Sequence, residues 1–337
     1  MKIVQSLALL MTICFSIDAS RASDQVYVRQ KKSDTSRQYT GQIDDWNGRY
    51  LVLTSTAGRQ RKLTTASVVS VGYDRGDAQV AGQEAFSQHN WGRAIKAYEQ
   101  ALRSEKRDWV RRRILRDVAI CHLATNRPVA AAESFERILA SDPTTQYLDA
   151  LPLAWSAQEP TGSLGARADE WMDGNSPPSM MLLGASWQLS GAERQPSIRV
   201  LEQLARSHDR RLAGLAMAQL WRTQVVTAKE RDFQRWQTAI NEMDAPLRPG
   251  PIFVLARARA RNASTPEAAV IDFMRVPILY PDNYQLAAKA LLEAGQLLER
   301  GQQRDEAALV YREITQQYEK TDEAALATER LEQLEKL

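Results

Sequence analysis

Cysteine and histidine are rare in this chain of 337 residues, which has two cysteines and three histidines. Cys14 lies in an apolar run near the N-terminus, so Cys121 is the only cysteine after it. One cysteine cannot form an internal disulfide or a cysteine-based metal cluster. His89, His122 and His208 are not spaced from one another or from cysteine as zinc ligands are. The sequence therefore predicts no metal site and no other cofactor site.

Patterns typical of enzyme active sites are also lacking. No glycine-rich phosphate loop follows a predicted strand, and no Gly-x-Ser-x-Gly motif occurs. Cys121 and His122 are neighbours on a predicted helix, where side chains do not meet as a nucleophile and its base must. Acidic pairs such as Asp44-Asp45 fall at predicted surface positions, without a cleft to shift their pKa values. We therefore expect a protein that is not an enzyme.

The first 22 residues have the pattern of an export signal. Lys2 precedes the almost uncharged run Ile3 to Ile17, and Ser20 and Ala22 occupy the −3 and −1 positions of a signal-peptidase site. An N-terminal membrane anchor is the alternative, but about 20 apolar residues are needed to span a bilayer. No later run is long or apolar enough. We predict a signal peptide over 1–22, no membrane span, and a location in the periplasm or cell envelope.

From Asp24 to about Tyr73 the hydrophobic residues alternate with a period of two, which predicts short strands. The predicted strands are 25–31, 38–45, 49–55, 59–64 and 67–73. Asn47-Gly48 suits a type I′ turn, because both residues tolerate positive φ. Five such strands should curl into a small SH3-like or Sm-like β-barrel over residues 24–75, because closure removes exposed edges.

This β module is basic. It has nine Lys or Arg residues against five Asp residues, which gives a net charge of +4. Charged strand edges that prevent aggregation are one interpretation, and a weak contact with an anionic surface is the other. The net charge of the whole chain, +3, is too small to indicate a nucleic-acid partner by itself.

After Gly76 the hydrophobic period becomes helical. Three stretches share small residues on two successive helices and an aromatic residue one turn further on, and another, from Ala269 to Pro281, has one small residue followed by the aromatic. These positions are Gly82, Ala94, Tyr98 and Ala101; Ala119, Ala131, Phe135, Ile138 and Pro143; Ala269, Phe273, Val276 and Pro281; and Gly295, Ala307, Tyr311 and Ile314. The pattern resembles the tetratricopeptide repeat of about 34 residues. The resemblance implies helical hairpins that cross closely at the small residues, with the aromatic filling the gap to the next hairpin.

Ala131 and Ala269 are 138 residues apart, a gap with room for about four degenerate repeats. Weaker anchors there are Ala168, Leu201 and Trp236. We therefore predict a mostly α protein: a tetratricopeptide-like solenoid of about seven hairpins over 78–318, with a capping helix over 322–336. Pro152 and Pro160 interrupt the third predicted hairpin, around 145–172.

The C-terminal part carries a further resemblance in a short set of residues. They are Leu279-Tyr280-Pro281, Ala287-Ala288, Ala307, Tyr311, Ile314 and Ala324 to Arg330. This part resembles the repeat region of periplasmic cell-envelope proteins, such as the cell-division coordinator of the Tol–Pal system and the BamD-like outer-membrane assembly lipoproteins. The overall plan of a signal, a small basic barrel and a long repeat array is similar to uncharacterised exported tetratricopeptide proteins of planctomycete type.

The strongest charge feature is the run Arg103 to Arg116, in which seven basic and two acidic residues give a net charge of +5. Residues 109, 112, 113 and 116 share one helical face. One interpretation is a solvated helix surface with Trp109 packed inward. The other is a docking site for an acidic peptide or an anionic envelope polymer, formed by Arg107, Trp109, Arg112, Arg113 and Arg116. Residues 283–337 have a net charge of −4, so we expect a rod that is basic at its start and acidic at its end.

Two functions remain open. The first is a non-catalytic protein–protein interaction scaffold of the cell envelope, which grips a protein or peptide on the concave repeat surface. The alternative is binding of a polyanion, either a polysaccharide or, less expected, a nucleic acid, through the β module and the Arg103–Arg116 face. Affinity that falls steeply with salt would favour the alternative, because such binding releases counterions.

Overall fold

The computed structural model describes residues 23–30, 35–160, 162–262 and 266–334. The predicted signal peptide lies outside the described residues, as does the end of the predicted capping helix. In the described part of the chain, five strands come first and 14 helices follow, and the protein is 64% helical.

The strands are β1 (Asp24–Arg29), β2 (Ser36–Trp46), β3 (Tyr50–Thr54), β4 (Gln60–Thr64) and β5 (Val68–Gly72). The helices of the first half are α1 (Asp77–Ser87), α2 (Trp91–Ser104), α3 (Asp108–Ala124), α4 (Pro128–Ser141), α5 (Ser163–Trp171), α6 (Pro178–Gln188) and α7 (Arg194–Leu204). Those of the second half are α8 (Arg210–Trp221), α9 (Glu230–Glu242), α10 (Pro249–Asn262), α11 (Pro266–Leu279), α12 (Tyr284–Arg300), α13 (Arg304–Gln317) and α14 (Asp322–Leu334).

The five strands form one antiparallel sheet in the order β4-β3-β2-β1-β5. The prediction of five strands is confirmed, but the prediction of a closed barrel is wrong. The two edge strands, β4 and β5, do not pair within the described residues. Apolar residues on one face, including Val26, Ile43 and Leu51, are nevertheless buried.

Helix α3 covers the sheet. The Trp109 indole is buried and donates a hydrogen bond to the carbonyl oxygen of Ile43 at 3.2 Å. Its ring centroid lies 6.3 Å from that of Trp46 and 4.8 Å from that of Tyr73. Because this contact buries apolar surface of the sheet against a helix, burial does not require the sheet to close on itself.

Consecutive helices pack against each other along most of the array. At two places the helices cross over a glycine. A Cβ atom on Gly82 would lie 2.5 Å from the Tyr98 ring, and one on Gly295 would lie 2.5 Å from the Tyr311 ring. Each aromatic ring thus contacts the glycine of its own helix pair.

The third predicted hairpin has only one of its two helices, α5. Before α5, residues 151–158, which we call the strap, are neither helix nor strand and have bends at Leu151 and Ser156. Pro152 has no backbone N–H group, and the residue before a proline is disfavoured in the α region. Pro160 acts in the same way two residues beyond the strap, so a helix over this segment is unfavourable.

The described helices do not form an open rod, and that prediction is wrong. The Tyr284 ring, at the start of α12, lies 5.1 Å from His89 and 5.3 Å from Trp91, measured between centroids. Gln285 donates a side-chain hydrogen bond to the carbonyl of Ala124, at the end of α3, at 2.9 Å. The basic first helices and the acidic last helices are therefore neighbours.

Candidate functional site

The five residues predicted to dock a partner do not form one exposed face. The side chain of Arg112 is only 3% exposed, pairs with the Asp45 carboxylate, and donates to the Trp46 carbonyl at 3.0 Å and to Ser141 Oγ at 2.7 Å. Trp109 is buried beside it. These two residues hold the sheet to the helices and present no surface to a partner.

The other three residues also make contacts within the chain. Arg107 forms hydrogen bonds to both carboxylate oxygens of Glu105 and to the Asp74 carbonyl. Burial raises the pKa of Glu105, but the hydrogen bonds and the charge of Arg107 together have the larger effect. The pKa of Glu105 is therefore lowered overall.

Arg116 is paired with Asp149 at 2.6 Å and with Asp117 at 2.9 Å. The guanidinium of Arg113 lies 5.6 Å from the centre of the Tyr73 ring. The charge of the run alone did not predict these ion pairs, because Asp45, Asp117 and Asp149, the carboxylates that neutralise Arg112 and Arg116, lie outside the run.

The array holds the strap through hydrogen bonds from side chains to its backbone. Trp187 Nε1 donates to the Pro152 carbonyl at 2.9 Å, and Gln219 Nε2 donates to the Ala154 carbonyl at 3.0 Å. The Ala154 N–H donates to Ser186 Oγ at 3.2 Å. These contacts come from α6 and α8 and reach alternate residues of the strap, Pro152 and Ala154, as in a peptide bound to a groove.

Arg222 also bonds to the strap. Among the described residues, none of its hydrogen bonds goes to a carboxylate. Its guanidinium donates to the carbonyls of Ser156 and Ser186 at 2.8 and 2.6 Å and to Gln219 Oε1 at 2.6 Å. Burial, reinforced by the charge of Arg257, lowers the pKa of Arg222 to about 9. Arg222 remains charged at neutral pH, so its contact with the strap is a charge-assisted one.

Trp155 fixes the middle of the strap. A Cβ atom on Gly250, at the start of α10, would lie 1.9 Å from the Trp155 ring. Only glycine allows this approach, so the strap is part of the fold at this point.

Beside the strap, a cleft of about 400 Å³ remains open between the helices. It lies between the strap, the second half of α3 and the first turns of α12 and α14. Half-buried side chains that line it include Ile120, Leu123, Trp155, Trp187 and Leu286. A cleft of this size and mixed lining falls within the range of pockets that bind small ligands or a few side chains of a peptide.

Two of the charged residues that line this cleft, Lys289 and Glu323, lie near each other. Lys289 Nζ is 3.4 Å from Ser156 Oγ and 4.0 Å from Glu323 Oε1. Glu323 is 7% exposed, and its Oε2 atom has no hydrogen-bond partner among the described residues. Burial raises the pKa of Glu323. No sequence pattern predicts this pair, because its two residues belong to separate helices with ordinary amphipathic patterns.

The chemistry of the remaining reactive groups is limited. Cys121 is fully buried, and burial raises the pKa of its thiol. Burial also lowers the pKa of His122. In the described ranges, no group of three or more His, Cys, Asp and Glu side chains is placed to hold a metal ion. No helix in those ranges combines the length and the apolar character needed to cross a bilayer.

Comparisons with known proteins give no relative from which a function can be taken: no protein-family model, curated protein or solved structure matches this chain.

Proposed function

We propose that this protein is a non-catalytic interaction scaffold of the cell envelope, with a tetratricopeptide-type array whose inner face binds an extended segment of a partner protein. The export part of the proposal rests on the pattern of the first 22 residues. The tetratricopeptide part rests on the repeated contact of a glycine with an aromatic ring in α1–α2 and in α12–α13.

The observation that carries the proposal is the strap. The helices already hold one segment of their own chain through side chains that bond to its backbone groups, which is the chemistry by which a groove holds a peptide independently of its sequence. The adjoining cleft offers Trp155, Trp187 and Leu286 to side chains of a second segment.

Binding of short synthetic peptides tests the proposal. Fluorescently labelled peptide pools, rich in apolar residues, are titrated with the full chain and with Leu286→Trp, which fills the cleft. We expect Leu286→Trp to weaken binding about tenfold or more, equivalent to about 1.4 kcal/mol. The matched control is Leu326→Trp, at an exposed position of α14 outside the cleft lining. Equal binding by the two variants would show that peptides do not use the cleft.

A second candidate function, polyanion binding, is favoured by one feature of the sheet. The guanidinium groups of Arg37 and Arg61 lie 5.2 and 4.7 Å from the centre of the Tyr39 ring. The ammonium of Lys62 lies 3.8 Å from the centre of the Tyr50 ring. All three basic residues are exposed. Binding to heparin that weakens steeply with salt and is lost in Arg37→Ala/Arg61→Ala would support this function.

A further inference from the structure

Glu323 has a carboxylate oxygen that the fold does not use. The residue lies in the first turn of α14, where the helix dipole favours a negative charge. This position accounts for an acidic residue, but Oε2 is buried without a hydrogen-bond donor among the described residues. A buried carboxylate oxygen without a partner is costly to the fold, so a hydrogen-bond donor supplied by a ligand would stabilise it.

Lys289 does not satisfy this carboxylate. The 4.0 Å between Lys289 Nζ and Glu323 Oε1 exceeds the 2.7–2.9 Å of a charge-assisted hydrogen bond. The Lys289 side chain is 30% exposed, and its other contact is the 3.4 Å approach to Ser156 Oγ. Its ammonium group is therefore held loosely and has a route to solvent.

The charged lining of the cleft is acidic overall. Four carboxylates line it, those of Asp149, Asp282, Asp322 and Glu323, together with the two bases Arg116 and Lys289. Arg116 and Asp149 neutralise each other at 2.6 Å. Three carboxylates then face one ammonium group, a net charge of −2. Asp282 and Asp322 are exposed, so a cation that approaches the cleft meets negative charge before it reaches Glu323.

We propose that the cleft binds a lysine or arginine side chain of an extended partner segment, with the cationic group paired to Glu323. This inference rests on the proposed function and names the chemistry of the residue that the cleft selects. Trp155 and Trp187 flank the cleft and offer their rings to the aliphatic part of that side chain. Lys289 competes for the same carboxylate and turns toward solvent when the partner binds.

The test compares pools of short peptides that differ only at a central position, fixed as lysine, arginine, norleucine, glutamine or glutamate. Binding to the full chain is measured by fluorescence anisotropy. We expect the lysine or arginine pool to bind about tenfold more tightly than the norleucine pool. Glu323→Gln should remove this preference. Lys289→Met should increase the preference, because the internal competitor is gone.

The control variant is Glu329→Gln, the same change at an exposed position of α14 outside the cleft lining, which should keep the preference. Tightest binding of the glutamate pool, or an unchanged preference in Glu323→Gln, would overturn the inference. If all pools bind alike and Leu286→Trp still blocks them, only the inference fails. If no pool uses the cleft, the proposed function fails with it.

Discussion

At the scale of single residues, equivalent positions of the repeat pattern differ in how their polar atoms are satisfied. Tyr98 and Tyr311 both lie over a glycine of the preceding helix. The Tyr311 hydroxyl donates to Glu299 Oε2 at 2.9 Å, whereas the buried Tyr98 hydroxyl has no partner among the described residues. Sequence spacing identified both rings but not this difference, which depends on the residue next to each hydroxyl.

This difference predicts opposite results for the same substitution. Tyr98→Phe removes an unsatisfied hydroxyl and should leave the free energy of unfolding unchanged or slightly higher. Tyr311→Phe loses a hydrogen bond to a carboxylate and should lower it by about 1 kcal/mol. Urea denaturation at neutral pH measures both values. Equal losses in the two variants would contradict the assignment of the hydrogen bonds.

The sequence singled out Gly48 as a turn residue, but the structure uses it for a close contact with a distant segment. The Asn47-Gly48 pair predicted a type I′ turn, but Gly48 does not have a positive φ. Instead, a Cβ atom there would lie 1.8 Å from the Thr144 carbonyl oxygen, and the Gly48 N–H donates to Asp142 Oδ2 at 2.8 Å. A turn pattern reports local geometry, and it carries no information about a contact with a distant segment.

At the scale of the elements, strands and regular helices were predictable because each has a strong period. For the strap, the sequence predicted only that the helical pattern is interrupted. Pro152 and Pro160 marked the third hairpin as irregular, but local sequence does not show where such a segment will lie. Its position depends on Trp187, Gln219 and Arg222, which belong to later helices.

The interface between α3 and the sheet depends on Arg112. In Arg112→Glu, a buried acid would face Asp45, and we expect the free energy of unfolding to fall by about 3–5 kcal/mol, as when a buried ion pair loses one partner. Lys106→Glu, a charge reversal at an exposed position of the same basic run, should change it by no more than about 0.5 kcal/mol. Thermal denaturation compares them. Similar losses would place Arg112 at the surface.

We expect a side chain at position 250, at the start of α10, to release the strap. Gly250→Ala introduces a methyl group that collides with the Trp155 ring, so we expect faster proteolysis at residues 151–158 and a lower melting temperature. Gly250→Ala/Trp155→Ala removes the collision and should recover part of that melting temperature. Gly92→Ala is the control, because its added Cβ meets no described atom within 4 Å. Unaltered proteolysis of Gly250→Ala would contradict this packing.

At the scale of the whole molecule, the cleft could not be predicted from the sequence. Its walls come from α3, the strap, α12 and α14, and they meet only because the first and last helices are neighbours. The opposite charges of the two ends led to the prediction of a polar rod. That prediction was wrong because the charge of a segment carries no information about the path of the chain. The contacts of Tyr284 with His89 and Trp91 bring these ends together.

Buried tyrosines predict a loss of stability at high pH. Burial raises the pKa of Tyr318 to about 12, and it also raises the pKa values of Tyr73, Tyr98, Tyr147, Tyr284 and Tyr311. In the unfolded chain these groups ionise near about pH 10. Above that pH the folded protein holds more protons, so the free energy of unfolding should fall as pH rises toward 12. Urea denaturation from pH 8 to 11 measures it, and a flat profile would contradict the burial of these hydroxyls.

The position of a bound peptide tests the proposed scaffold most directly. A member of the tightest-binding pool, carrying a benzophenone group, is photocrosslinked to the full chain, and the modified residues are located by mass spectrometry. We expect adducts on the strap, the second half of α3 and the first turns of α12, and their loss in Leu286→Trp but not in Leu326→Trp. Adducts confined to the strands around Tyr39, with the cleft unlabelled, would contradict the scaffold and favour the basic face of the sheet.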